Sequence, residues 1–131
     1  MSTNPFSHID LRVHDLEPAR GFYRRLLPEL GFTELYFEGQ PCVGAATSEP
    51  WPRKAFFEIN LAPDHKPNQN RIAFSADSRE KVDAIGRLLQ EIGAKNVEGP
   101  ELVGEYSGGY YAVFFEDPSG NPLEVVFRGE G

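Results

Sequence analysis

The sequence predicts an α+β protein built from two βαβββ modules. A polar and apolar alternating stretch that runs into a helical pattern occurs twice, as "SHIDLRVHD" and again as "NRIAFSADS". The segment "LLPELGF" at 26–32 matches "LLQEIGA" at 88–94 with an offset of 62 residues, and "FFEI" at 56–59 matches "PLEV" at 122–125 with an offset of 66. His8 and Arg71, in the first pair of stretches, are 63 residues apart. Three similar offsets in the same order are what a duplicated unit produces.

The first module is expected over residues 6–61. Apolar and polar residues alternate in "HIDLRV", which predicts a strand that is buried on one face. A helix with one apolar face follows, with Asp15 and Pro18 at its start and Gly31 as its stop. Three shorter strands are predicted at 32–38, 41–47 and 54–61.

The second module is expected over residues 71–128. The stretch "APDHKPNQN" at 62–70 is polar and contains two prolines, so it predicts a linker. "RIAFSA" is then a strand, and the next helix has Ser78 as its N-cap and Gly93 as its stop. Strands are predicted near 94–98, 109–116 and 121–127, with the tight turn "EDPSGN" joining the last two. At 131 residues the two modules fit a single domain, which typically has about 100 to 200 residues.

Composition excludes several classes of partner. The net charge is −7 and the 13 basic residues are scattered, so neither nucleic acid nor an anionic membrane surface is expected to bind. No apolar run approaches the ~20 residues that cross a membrane. Cys42 is the single cysteine and is expected in the core, and the N-terminus lacks the apolar stretch of a signal peptide. We therefore expect a cytoplasmic protein.

Four side chains occupy equivalent places in the two modules. His8 and Arg71 open the two equivalent first strands, while Glu58 and Glu124 lie at matching places in the last strands. Because side chains alternate between the two faces of a strand, all four project from the face opposite the helices. If the two half-sheets curl toward each other, the four side chains meet in one cup.

Three segments carry a family resemblance: "HIDLRVHDLEPARGFYRRLLPELGF", "RIAFSADSREKVDAIGRLLQEIGA" and "YYAVFFEDPSGNPLEVVF". The chain resembles the vicinal oxygen chelate superfamily, which includes glyoxalase I, bleomycin resistance proteins and extradiol dioxygenases. The resemblance implies a glyoxalase-like fold in which two βαβββ modules form an open, cup-shaped mixed barrel. It also implies a small-molecule ligand, a homodimer, and metal ligands at the positions of His8, Glu58, Arg71 and Glu124.

Arg71 departs from the family pattern, which usually has a histidine there. A guanidinium has no lone pair to give a metal. In one alternative Arg71 swings to the rim, and His8, Glu58 and Glu124 hold a divalent Zn, Ni, Mn or Fe ion with an open coordination position. In the other, Arg71 pairs with a glutamate, replaces the metal and offers a bidentate grip for a substrate carboxylate.

The resemblance implies an enzyme, a lyase or isomerase acting on a small carbonyl or thiol-conjugate substrate. Glu58 or Glu124 would then serve as the catalytic proton-transfer base. A dioxygenase is less favoured, because its iron needs two histidines and a carboxylate. The alternative is a metal-free binding protein of the bleomycin resistance type that sequesters a cationic or aromatic molecule. A third hypothesis is an enzyme that holds an anionic substrate with Arg71.

Aromatic residues supply the remaining candidate contacts. Tyr110 and Tyr111 precede the last hairpin, and an alternating strand sends only part of this aromatic run toward a ligand. Trp51 lies between two prolines and is predicted to cover the rim of the site or to form a dimer contact. We therefore expect substrate contacts from Arg71, Tyr110, Tyr111 and Trp51.

Overall fold

The computed structural model describes residues 5–46, 54–104 and 109–129. The chain divides into two compact units, unit 1 (Met1–His65) and unit 2 (Lys66–Gly131). Each unit is a βαβββ module with a four-stranded mixed sheet, which confirms the fold class predicted from the repeat.

Unit 1 contains β1 (His8–Val13), α1 (Leu16–Glu29), β2 (Glu34–Tyr36), β3 (Cys42–Ala45) and β4 (Phe56–Leu61). Its strand order is β1-β4-β3-β2, with β1 parallel to β4 and the other neighbours antiparallel. β2 is shorter than predicted because both flanks have other partners. The Phe32 amide donates to Leu27 O at the helix end, and the Phe37 carbonyl accepts from the Arg20 guanidinium.

The core of unit 1 lies between α1 and one face of the sheet. Tyr23 of α1 packs on Phe57 of β4, with 5.6 Å between the ring centroids. Cys42 is fully buried, as predicted, and this burial raises the pKa of its thiol above the ordinary value, although the nearby Arg20 charge lowers it. The opposite face of the sheet is left for polar side chains.

Unit 2 contains β5 (Ile72–Ser75), α2 (Arg79–Glu91), β6 (Lys95–Leu102), β7 (Tyr110–Glu116) and β8 (Pro122–Arg128). Its strand order is β5-β8-β7-β6, with β5 parallel to β8. Ser78 caps α2, since its hydroxyl accepts from the Lys81 amide at 3.0 Å. β6 extends beyond the predicted 94–98 and its register to β7 is irregular, with Gly99 at a φ of 91° in the irregular stretch.

The turn between β7 and β8 is organised by Asp117, which is fully buried. Its Oδ1 accepts from the backbone amides of Ser119 and Asn121, each at 2.9 Å. Its Oδ2 accepts from the Asn121 side-chain amide at 3.0 Å. One carboxylate therefore satisfies three donors and fixes the hairpin that carries Glu124.

The two helices are short, with 14 residues in α1 and 13 in α2. A helix needs about 20 apolar residues to span a bilayer. In the part of the chain that the structure describes, neither helix has the length and apolar character to cross a membrane.

Candidate functional site

The sheet of unit 2 presents one row of side chains on the face opposite α2. Ala73, Glu124, Phe114 and Glu98 are successive cross-strand partners from β5 to β6. Arg71 lies two residues before Ala73 and therefore shares this face. Arg71 and Glu124 are two of the four positions that the repeat identified. They lie on the same side of one sheet, as strand alternation predicts.

A groove of about 720 Å³ runs over this face. Its charged lining comes from Arg71, Glu98 and Glu116, and its apolar floor from Phe114 and Pro122. The volume lies within the range of about 300 to 1,000 Å³ that small-molecule sites occupy. The groove combines an apolar floor with a few polar groups, which is the pattern of a ligand site.

Arg71 is held in the groove by an aromatic ring. Its Cζ lies 4.9 Å from the centroid of the Phe114 ring, within the range of a cation–π contact. Within the described part of unit 2, Arg71 forms no ion pair, so the pairing with Glu124 considered above is not formed there. Because the ring engages the guanidinium without satisfying its N–H groups, Arg71 keeps donors for a ligand anion.

Glu124 is 5% exposed and accepts a hydrogen bond from the Tyr110 hydroxyl. Buried polar groups are normally hydrogen-bonded, and this contact meets that requirement for one of the carboxylate oxygens. The structure therefore brings together two of the residues predicted from the sequence, with Tyr110 holding Glu124 in place beside Phe114.

Tyr111 projects from the other face of β7, toward α2. Its hydroxyl donates to Asp83 Oδ1 at 2.6 Å, and the Arg79 Cζ lies 5.4 Å from its ring centroid. The hydrogen bond to Asp83 raises the pKa of Tyr111 above its ordinary value of 10.0. The structure thus places the Tyr111 side chain at the helix and the Tyr110 side chain at Glu124.

Replacing Tyr111 with phenylalanine is expected to lower the free energy of unfolding by about 1 kcal/mol at neutral pH, because only the hydrogen bond to Asp83 is lost. The raised pKa means that folding favours the neutral phenol. The neutral Tyr111 phenol contributes fully to the free energy of unfolding below pH 10.0. This contribution is lost as the pH rises through the raised pKa of the folded state.

Urea denaturation of wild type and Tyr111→Phe at neutral pH and again above pH 10 measures this difference. The difference in free energy of unfolding between the two proteins should be smaller above pH 10. Tyr36→Phe is the matched control, because Tyr36 is 54% exposed and its 3.4 Å contact with Glu34 is weak. If this difference in free energy stays constant with pH, the hydrogen bond from Tyr111 to Asp83 does not stabilise the fold as assigned.

In unit 1, His8 and Glu58 also share the face opposite the helix. The Asn60 amide donates to Asp10 Oδ1 at 2.7 Å and to Glu58 Oε1 at 2.9 Å, so it bridges the two carboxylates. The His8 ring stacks on Phe56 with centroids 4.4 Å apart, and its Nδ1 lies 3.1 Å from Ser7 Oγ. Glu58 is the cross-strand partner of Asp10, so His8 is its diagonal neighbour.

The described residues of each unit do not fit a metal site of their own. Among residues 5–46, 54–104 and 109–129, no three His, Cys, Asp or Glu side chains are grouped to hold an ion. Unit 2 offers Glu124 as a ligand but has the fixed charge of Arg71 on the same face. Two unit charges about 4 Å apart repel by about 4 kcal/mol at an effective dielectric of about 20, which opposes a cation beside Arg71.

Trp51 lies outside the described residues.

Sequence reasoning assigned no ligand contact to several residues of the groove, among them Phe114 and Glu98. Phe114 has the same parity as Tyr110 in β7, so strand alternation alone places it on the open face. Glu98 falls in an acidic stretch that resembles a solvated loop, and only its pairing with Phe114 brings it to the groove. Because β6 pairs irregularly with β7, no sequence pattern predicts the pairing of Glu98 with Phe114.

Comparisons with known proteins agree with this fold. Residues 6–125 match the family model of the Glyoxalase/Bleomycin resistance protein/Dioxygenase superfamily. The chain is 30% identical over 129 residues to the uncharacterized protein YqjT of Bacillus subtilis strain 168, covering 91% of this chain and 95% of YqjT.

Several solved structures share the architecture. A glyoxalase/bleomycin resistance protein from Albidiferax ferrireducens T118 is 26% identical, with a TM-score of 0.77 over 95% of this chain and all of that one. TnmS3, an antibiotic binding protein from Streptomyces sp. CB03234, is 23% identical, with a TM-score of 0.64 over 98% of this chain and 99% of that one. The second likeness shows the fold alone.

Proposed function

The chain belongs to the glyoxalase/bleomycin resistance protein/dioxygenase superfamily, and we propose that it binds a small organic molecule with an anionic group, without a metal ion. The groove of unit 2 is the proposed site. The observation that supports it is the guanidinium of Arg71, positioned over Phe114 at a family ligand position and unpaired with any carboxylate in the described part of unit 2.

The chemistry of the groove favours an anion with an apolar body. A guanidinium meets a carboxylate or a similar group through two parallel hydrogen bonds, and Phe114 fixes the cation before the ligand arrives. Phe114 and Pro122 supply the apolar floor against which the rest of the molecule packs. Arg71 thus serves as the anion-binding residue of the groove, while the Tyr110–Glu124 pair lies on the same sheet face outside the groove lining.

A metal-dependent lyase or isomerase acting on a small carbonyl or thiol-conjugate substrate is the second candidate function. Members of the superfamily often bind metal. The supporting observation is that His8 and Glu58 share one sheet face and that Asn60 orients the Glu58 carboxylate, as an outer-shell partner does for a ligand. In this hypothesis His8, Glu58 and Glu124 hold one divalent ion, and Glu58 or Glu124 is the base.

We also propose that the protein is a cytoplasmic homodimer. Phe6 is 67% exposed and Leu102 is 53% exposed, and each is an apolar side chain that a partner subunit would cover. Sedimentation equilibrium tests this: a mass of one chain at micromolar concentration would contradict the dimer.

Calorimetric titration with 4-methylbenzoate, in the presence and in the absence of EDTA, tests the proposed function. This probe has about ten non-hydrogen atoms, and at about −0.4 kcal/mol per atom its dissociation constant is expected near 1 mM. We expect the same affinity in both buffers. Affinity that disappears with EDTA and returns with a divalent ion would favour the second candidate, and absence of binding at about 10 mM would refute an anion site.

A further inference from the structure

We infer that the ligand of this groove is a zwitterion, whose anionic group contacts Arg71 and whose cationic group contacts Glu98 and Glu116. The inference rests on the proposed function and names the class of ligand. All three charged side chains line the same groove. A site for a simple anion has no need of two carboxylates in its wall.

The three charged residues are placed around Phe114 by one side-chain contact and by the strand register. The Arg71 Cζ lies 4.9 Å from the centroid of that ring. Glu98 is the direct cross-strand partner of Phe114 on β6, and Glu116 follows two residues later on the same face of β7. Neighbouring strands are about 4.8 Å apart, so the positive and negative groups are separated by about 5 to 10 Å along the groove.

The opposite charges do not neutralise each other. Of the contacts formed by described residues, none joins Arg71 to Glu98 or Glu116 as an ion pair. Glu116 Oε1 accepts from the Asn96 side-chain amide at 2.8 Å, which orients its carboxylate. Glu98 is exposed. The groove therefore holds one cation and two carboxylates at a distance that a small molecule with two opposite charges spans.

A ligand with only the anionic group gains the Arg71 contact but faces two like charges. Adding an ammonium group converts this repulsion into attraction. Because Glu98 is exposed, water screens the contact, and the gain is expected to be about twofold to fivefold in affinity. Glu98 and Glu116 together are expected to make the groove prefer a zwitterion over an anion of the same shape.

Three probes of one shape separate the contributions: 4-(aminomethyl)benzoate carries both charges, 4-methylbenzoate only the anion, and 4-methylbenzylamine only the cation. In calorimetric titrations we expect wild type to bind the zwitterion about twofold to fivefold more tightly than 4-methylbenzoate. We expect 4-methylbenzylamine to bind most weakly, because Arg71 repels it.

The double variant Glu98→Gln with Glu116→Gln removes both negative charges and keeps the side-chain shape. Its ratio of affinities for 4-(aminomethyl)benzoate and 4-methylbenzoate should fall to about one. Glu101→Gln is the matched control, since Glu101 is an exposed glutamate of the same strand that does not line the groove. Its ratio should equal that of wild type.

The outcomes separate the two proposals. If wild type binds 4-methylbenzoate as tightly as the zwitterion, the ligand class is wrong, while an anion site at Arg71 stands. A preference for the zwitterion that survives the double substitution also overturns the assignment of Glu98 and Glu116. If neither benzoate binds, the anion site itself is wrong.

Discussion

Arg71→Ala is expected to weaken the binding of 4-methylbenzoate by about tenfold to a hundredfold. Hydrogen bonds to a charged group contribute about 1.5 to 3 kcal/mol, and a bidentate contact with Arg71 falls in that range. The fold should remain intact, because Arg71 is exposed and its side chain contacts the Phe114 ring. Calorimetric titration measures the affinity, and thermal unfolding monitors the fold.

Two variants control for the loss of charge. Arg71→Lys keeps the positive charge but loses the planar fork, so its affinity should lie between those of wild type and Arg71→Ala. Arg87→Ala removes an exposed arginine of α2 and should leave the affinity unchanged. Equal weakening in Arg71→Ala and Arg87→Ala would mean that only net charge matters, and unchanged affinity in Arg71→Ala would remove Arg71 from the site.

Asp117→Ala is expected to lower the free energy of unfolding by about 3 to 5 kcal/mol. The Asp117 carboxylate is fully buried and accepts from two backbone amides and one side-chain amide. A buried donor left without a partner costs about 1 to 3 kcal/mol, and this substitution strands several. The turn also places Gly120 and Pro122 at the groove, so ligand affinity should fall together with stability.

Guanidinium chloride denaturation measures the loss, and Asp117→Asn is the conservative control. The asparagine keeps one oxygen that accepts from the Ser119 and Asn121 amides, but it presents a second donor to the Asn121 side chain. Its loss should therefore be smaller, about 1 to 2 kcal/mol. A change below about 1 kcal/mol in Asp117→Ala would show that the turn is stabilised by other contacts.

The sequence predicts the architecture well because its signals are local. Strand alternation and the duplicated offset identify both modules, and the two helices end where glycines follow an apolar face. Gly31 and Gly93 have φ values of 99° and 77°, the left-handed conformation that a glycine adopts at low cost after a helix. The alternation and the helix ends depend on a few neighbouring residues, and the offset is read by comparing two segments of sequence, so no tertiary information is needed.

The geometry of the groove depends on contacts between distant residues, and these are not visible in sequence. Tyr110 and Tyr111 are adjacent and lie on opposite faces of β7, but both faces are rich in aromatic and apolar residues. Composition therefore does not tell which tyrosine meets Glu124 and which meets Asp83. The contact of Arg71 with Phe114 likewise depends on the side-chain conformation of Arg71 across two strands.

The central claim is that Arg71 stands in place of a metal ligand and that the protein binds its ligand without a metal ion. Elemental analysis of untagged wild type, His8→Ala and Glu124→Gln tests this most directly. We expect less than about 0.1 divalent ion per chain in all three proteins. About one ion per chain in wild type that is lost in either variant would contradict the claim and establish a metal-dependent site.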